Sequence, residues 1–122
     1  MIEQQRAEFD RLWPLLKEAV LRYGDTHEKE HVWSRIETGH AQFWALPNAA
    51  IVTEVHTYET GMRESRGWLA GGDIREITAF IPRLEDLARK AGCRRVTITG
   101  RRGWSRALTG YKDLATIVVK EL

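Results

Sequence analysis

Residues 50–73 read AIVTEVHTYETGMRESRGWLAGGD, and the fold turns on how this stretch is read. Ile51, Val52, Val55 and Thr57 are β-formers within residues 50–58, and Thr60-Gly61 supplies a turn. Residues 62–70 then pair back as the second arm of an antiparallel hairpin. Gly71-Gly72 breaks the strand, and Asp73 is placed to cap a following helix. A hairpin that hands over directly to a capped helix predicts a sheet covered by helices.

Working outward toward the C-terminus, Ile74, Ile77, Ile81, Leu84, Leu87 and Ala88 recur at helical spacing to about residue 91, with Pro82 inside the pattern and Gly92 closing it. RVTIT (95–99) reads as a buried strand, residues 104–108 as a short helix, and LATIVV (114–119) as a last strand. Toward the N-terminus, Phe9, Leu12, Trp13, Leu16, Val20 and Tyr23 mark an amphipathic helix over about residues 3–22. Pro14 either bends that helix or opens a second one. Gly24 ends it, and Asp25-Thr26 caps the next helix with Glu28 completing a capping box. Val32, Trp33 and Ile36 form its buried face, Gly39 stops it, and residues 41–46 form a short strand ending at Pro47-Asn48. The predicted class is α/β in the broad sense, α+β in detail: a mixed, mostly antiparallel sheet flanked by helices, in the order α-α-β-β-β-α-β-α-β. One domain over 1–122 is expected from the length.

Composition narrows the function classes. A hydrophobic fraction of 43% and a charged fraction of 30% belong to a folded chain. No run reaches the roughly 18–20 apolar residues of a membrane span, and MIEQQRAEFD has acids where a secretory signal needs an apolar run. Cys93 is alone, which fits a reducing cytoplasm, and it has no histidine at a spacing that suggests thiol catalysis. The net charge of +2 is uneven: residues 94–112 hold six basic side chains and no acid, leaving the rest acidic overall. Such a segment fits an anionic ligand or an acidic protein surface, while a chain without general basic character is a poor DNA binder.

Two local patterns carry possible chemistry. HEKEH (27–31) satisfies the H-E-x-x-H zinc pattern. Its position in the first turn of a helix, its charged middle residues and the lack of a third ligand at a familiar spacing argue against a metal site. Gly100-Arg101-Arg102-Gly103-Trp104-Ser105-Arg106 combines cations, flexible glycines and an indole. Arg101, Arg102, Trp104 and Arg106 suit docking on a protein partner, and less well nucleic-acid phosphates and bases. The plainer reading has Trp104 in the core, covering the open end of the sheet.

The element order, with LWPLL (12–16), WLAGGD (68–73), AGCRRVTITGRRGW (91–104) and GYKDLATIVVKEL (110–122), resembles the GCN5-related N-acetyltransferases (GNAT), and most of all the small GNAT-like proteins of tailed phages and prophages. The resemblance implies a GNAT-like fold over nearly the whole chain, without a clear first strand. In active members the loop after the strand matching residues 62–70 carries a Gln or Arg and closely spaced small residues that let backbone N–H groups reach the pyrophosphate of acetyl-CoA. This chain has Ala70-Gly71-Gly72-Asp73 there, so the basic or amide residue is missing and a carboxylate stands near the expected diphosphate. The family also often places a Tyr four residues before a Gly-aromatic pair to protonate the departing thiolate. The pair here is Gly110-Tyr111, and Arg106 occupies the acid's position, where a guanidinium keeps its proton.

The expectation is therefore a phage-type GNAT-like domain with a degenerate cofactor motif, acting in binding or virion assembly in the host cytoplasm or the virion. Its contact surface would be the Arg101–Arg106 segment and exposed Trp residues. The alternative is a divergent acetyl-CoA-dependent N-acetyltransferase. In that case Gly71, Gly72, Arg101 and Arg102 would hold the cofactor, and Glu54 or Glu64 would act as base toward a substrate amine. The plainer reading puts both carboxylates on the solvent face of their strands. An enzyme needs an open cleft between residues 68–70 and 95–99; in a scaffold, Trp68 or Trp104 would plug it.

Overall fold

The computed structural model describes residues 2–100 and 103–122, so Arg101 and Arg102 lie outside the described residues. The chain is α+β, with a four-stranded mixed open sheet flanked by helices. Helix α1 spans Ile2–Leu21 and α2 Lys29–Glu37. Strands β1 (Gln42–Ala45), β2 (Ala49–Thr57) and β3 (Arg63–Gly72) form an antiparallel meander. Helix α3 (Ile74–Lys90) leads to β4 (Arg95–Ile98), which lies parallel to β3, and α4 covers Trp104–Ala107. The sheet order is β1-β2-β3-β4. Among the described residues no helix is long and apolar enough to cross a membrane.

Both faces of the meander are buried, which explains the nearly unbroken apolar run at the start of β2. Ala50 and Val52 point to α1 and α2, where they meet Phe9, Leu12, Leu16, Val32, Trp33 and Leu69. Ala49 and Ile51 point the other way, to a second cluster with Ala70, Ile77, Ile81, Leu84 and Trp104. A strand covered on both sides alternates in direction but not in polarity. Pro14 sits on the exposed side of α1 and the helix runs through it unbroken, so the choice between one helix and two resolves to one.

Three expectations are corrected. The second helix starts at Lys29 with Glu28 as its N-cap, not at Asp25-Thr26, and His31 Nδ1 accepts the Glu28 N–H at 3.0 Å. His27 therefore precedes the helix, the two histidines of HEKEH do not share a helical face, and no cluster of metal-ligating side chains occurs among the described residues. The last strand is absent: residues 114–119 are unpaired, with Leu114, Ile117, Val118 and Val119 all exposed. Consequently β4 is the edge of the sheet and only half-buried, not the buried strand expected of RVTIT.

Register decides what the open part of the sheet presents. Val52 pairs with Leu69 but Thr53 pairs with Gly67, leaving Trp68 as an extra residue in a β-bulge. The bulge turns the indole toward α2, where it packs against the α1–α2 core and meets His27 edge-on at 5.1 Å. Below it, Glu54 faces Arg66 and His56 faces Glu64 across the hairpin, while Arg66 lies beside Thr97 of β4.

Candidate functional site

Helices α1 and α2 cover only the upper part of their face of the sheet. The remainder is a groove in two adjoining parts. One, of about 600 Å³, lies between Ser34 and Arg35 of α2, Thr38 at its C-cap, and Glu54 and Arg66 of the hairpin. The other, of about 450 Å³, continues past Trp68 and Tyr58 to Arg95, Thr97 and Thr99 and reaches Leu114. Glu54 and Arg66 belong to both.

At its floor is Glu64, a carboxylate with only 3% of its side chain exposed. Arg95 Nε donates to Oε1 at 2.6 Å, Arg66 Nε donates to Oε2 at 2.8 Å, and Thr97 Oγ1 donates to Oε2 at 3.1 Å. Tyr58 OH lies 3.3 Å from both oxygens and accepts from Arg66 Nη2 at 3.1 Å. Burial alone would raise the Glu64 pKa, but hydrogen bonds from Arg66, Arg95 and Thr97 outweigh it and hold the group below the usual carboxylate range. Such a carboxylate is charged and fully engaged. It is a poor general base and a good anchor for two guanidinium groups, each 38% exposed.

Glu54, 21% exposed, is paired with Arg35 at 2.8 Å, and the same guanidinium lies 4.9 Å from the Trp68 ring. The structure thus brings Glu54 and Glu64 to one groove but not onto an open solvent face, correcting the plainer expectation for both. Arg35, Arg66 and Arg95 against Glu54 and Glu64 leave the groove with an excess of one positive charge. His27, beside Trp68, has its pKa lowered by burial and by the nearby Arg35 charge, which favours the neutral ring.

The other sequence-derived positions lie elsewhere. A Cβ on Gly71 would sit 2.3 Å from the Leu15 carbonyl oxygen, so this glycine is where α1 crosses β3. Gly72, at φ +108°, would meet the Asn48 carbonyl oxygen at 2.3 Å. At the N-terminus of α3, Asp73 Oδ1 accepts from Arg75 N at 2.9 Å, and Glu76 accepts from Asn48 N at 2.8 Å and Nδ2 at 3.1 Å. Trp104 is buried on the α3 face beside Ala70 and Ile98, the core role of the two that were open. Arg106 is exposed on α4. Tyr111 donates to Glu85 Oε2 at 2.9 Å on that same face; burial and this bond push its pKa up.

Sequence reasoning missed Arg35, Tyr58, Arg66, Arg95 and Thr97. The signal was present as period-two spacing: Glu54-His56-Tyr58, Glu64-Arg66 and Arg95-Thr97-Thr99 each line one side of a strand. Once the Thr60-Gly61 turn sets the register, those sides coincide. Comparison with protein-family models, with curated proteins and with solved structures finds no match.

Proposed function

We propose that this chain is a GNAT-like binding domain of the phage type, which holds a protein partner in its Arg35–Glu54–Arg66–Arg95 groove and serves in assembly rather than in acetyl transfer. The observation that carries this reading is the filled junction of β3 and α3. Gly71 is covered by the Leu15 carbonyl, and the first turn of α3 is capped by Asp73 with Glu76 beside it. A diphosphate arriving at that helix end would meet two carboxylates and no free cradle of glycine backbone. Trp104 fills the α3 face beside Ala70 and Ile98, while on the other face Trp68 is a wall of the open groove.

The groove fits a polypeptide that carries an acidic side chain. It offers two half-exposed guanidinium groups held at fixed positions by Glu64, an indole wall at Trp68, and one uncompensated positive charge. Preorganised arginines cost little side-chain entropy on binding. The expected experiment has two arms. Millimolar acetyl-CoA leaves the thermal midpoint unchanged, whereas a ligand at a hundred times its Kd would add about 2.7 kcal/mol. In an NMR titration, a glutamate-rich peptide shifts the Trp68 indole N–H and a lysine-rich peptide of equal length does not. A rise in midpoint with acetyl-CoA would return the chain to the divergent acetyltransferase reading. Indifference of Trp68 to the acidic peptide would remove the groove as the binding surface.

A further inference from the structure

Given the binding role proposed for the groove, we infer that it reads a short segment carrying one carboxylate beside a large apolar side chain, with Leu114 selecting the apolar one. The carboxylate follows from charge. Among the residues lining the part of the groove past Trp68, Arg66 and Arg95 share Glu64 between them, and Glu54 is already paired with Arg35. One positive charge is left over, which a single carboxylate neutralises. A phosphoryl group carries about −1.5 to −2 at neutral pH. It would leave an excess of negative charge beside the buried Glu64 and compete with that carboxylate for the same two guanidinium groups.

Donors for that carboxylate are in place. Each guanidinium has five N–H groups. Glu64 takes the Nε of both arginines, and Tyr58 takes one N–H from Arg66 Nη2. Among the described residues, neither Nη of Arg95 nor the Nη1 of Arg66 has a hydrogen-bond partner. With both Nε atoms tied to the floor, these Nη groups can form charge-assisted bonds to an incoming carboxylate with little further ordering.

The apolar requirement comes from Leu114. It lines the same part of the groove as Trp68, Thr97 and Thr99, yet it is 64% exposed. Trp68 is itself only partly buried against the α1–α2 core. An indole and a leucine thus line one space of about 450 Å³ together with the two guanidinium groups. That volume suits the side chains of a short segment, and an apolar side chain placed there leaves water for Trp68 and Leu114 next to the ion pair. A purely acidic ligand would leave both walls wet.

The test is an NMR titration of the full chain, read at the Trp68 indole N–H, with four peptides of equal length. They are built from glutamate and leucine, glutamate and serine, glutamine and leucine, or phosphoserine and leucine. The glutamate–leucine peptide is expected to bind roughly tenfold or more tighter than the glutamate–serine and glutamine–leucine peptides. The phosphoserine peptide binds no tighter than the glutamate–leucine one. In Leu114→Ser, a change at a mostly exposed side chain, the advantage of leucine over serine disappears while affinity for the glutamate–serine peptide stays as in wild type. Failure of every glutamate peptide to move Trp68 overturns the binding role of the groove and its acidic–apolar specificity together. Three results overturn the specificity alone: equal affinity for the glutamate–leucine and glutamate–serine peptides, tighter binding of the phosphoserine peptide, or a leucine preference that survives Leu114→Ser.

Discussion

Glu64→Gln is expected to destabilise the fold by about 2–3 kcal/mol at neutral pH, the range for losing charge-assisted hydrogen bonds to a buried carboxylate. The amide keeps the shape but turns one acceptor into a donor facing guanidinium or hydroxyl donors, so at least one of the contacts to Arg66, Arg95 or Thr97 becomes repulsive. The loss stays below the about 3–5 kcal/mol of a fully buried broken pair, because Arg66 and Arg95 are each 38% exposed and water takes up part of their charge. The pH dependence gives the sharper check. Glu64 has a folded pKa below its unfolded value, so its contribution is fully present above the ordinary carboxylate value of about 4.3 and is lost as pH falls through the folded pKa. Urea unfolding of both proteins should therefore show a gap that is constant from neutral pH to about pH 5 and narrows in stronger acid. A gap that persists unchanged in acid would mean that shape, not charge, is what the variant lost.

That network also marks how far the sequence could be read. The meander, the two amphipathic helices, the capped α3 and the parallel return to β4 follow from periodicity and punctuation, since each is dictated by residues close together in the chain. Asp73 illustrates this: its cap role needs only the glycines before it and the apolar stripe after it. The Glu64 cluster needs three strands in register, and the pairing of β4 with β3 joins residues far apart in the chain, which no local pattern announces. LATIVV has every local property of a strand, yet a strand also requires a partner, and within one copy it has none. The start of α2 at Lys29 in place of Asp25-Thr26 is a milder case, in which Glu28 and His31 form the capping box that closes the helix three residues later.

Gly71→Ala is expected to be the most damaging single methyl in the protein, at about 3 kcal/mol or more. The added Cβ would lie 2.3 Å from the Leu15 carbonyl oxygen and 2.9 Å from its carbon, both backbone atoms of α1. No rotamer change relieves such a contact, so α1 must lift from β3, and the packing of Phe9, Leu12 and Leu16 on Val52 and Leu69 loosens with it. The control is Gly61→Ala, where φ is +88° but nothing lies within 4 Å of the new carbon. That variant pays only for left-handed backbone, about 1 kcal/mol, and should melt far closer to wild type. The comparison also bears on function, since a glycine kept for cofactor access and one kept for helix packing respond differently. If Gly71 serves packing, Gly71→Ala loses stability with no ligand present, and acetyl-CoA makes no difference to either protein. If it serves a pyrophosphate, the variant folds as well as wild type and differs only when acetyl-CoA is added. Chemical denaturation of Gly71→Ala, Gly61→Ala and wild type, with and without the nucleotide, separates the two.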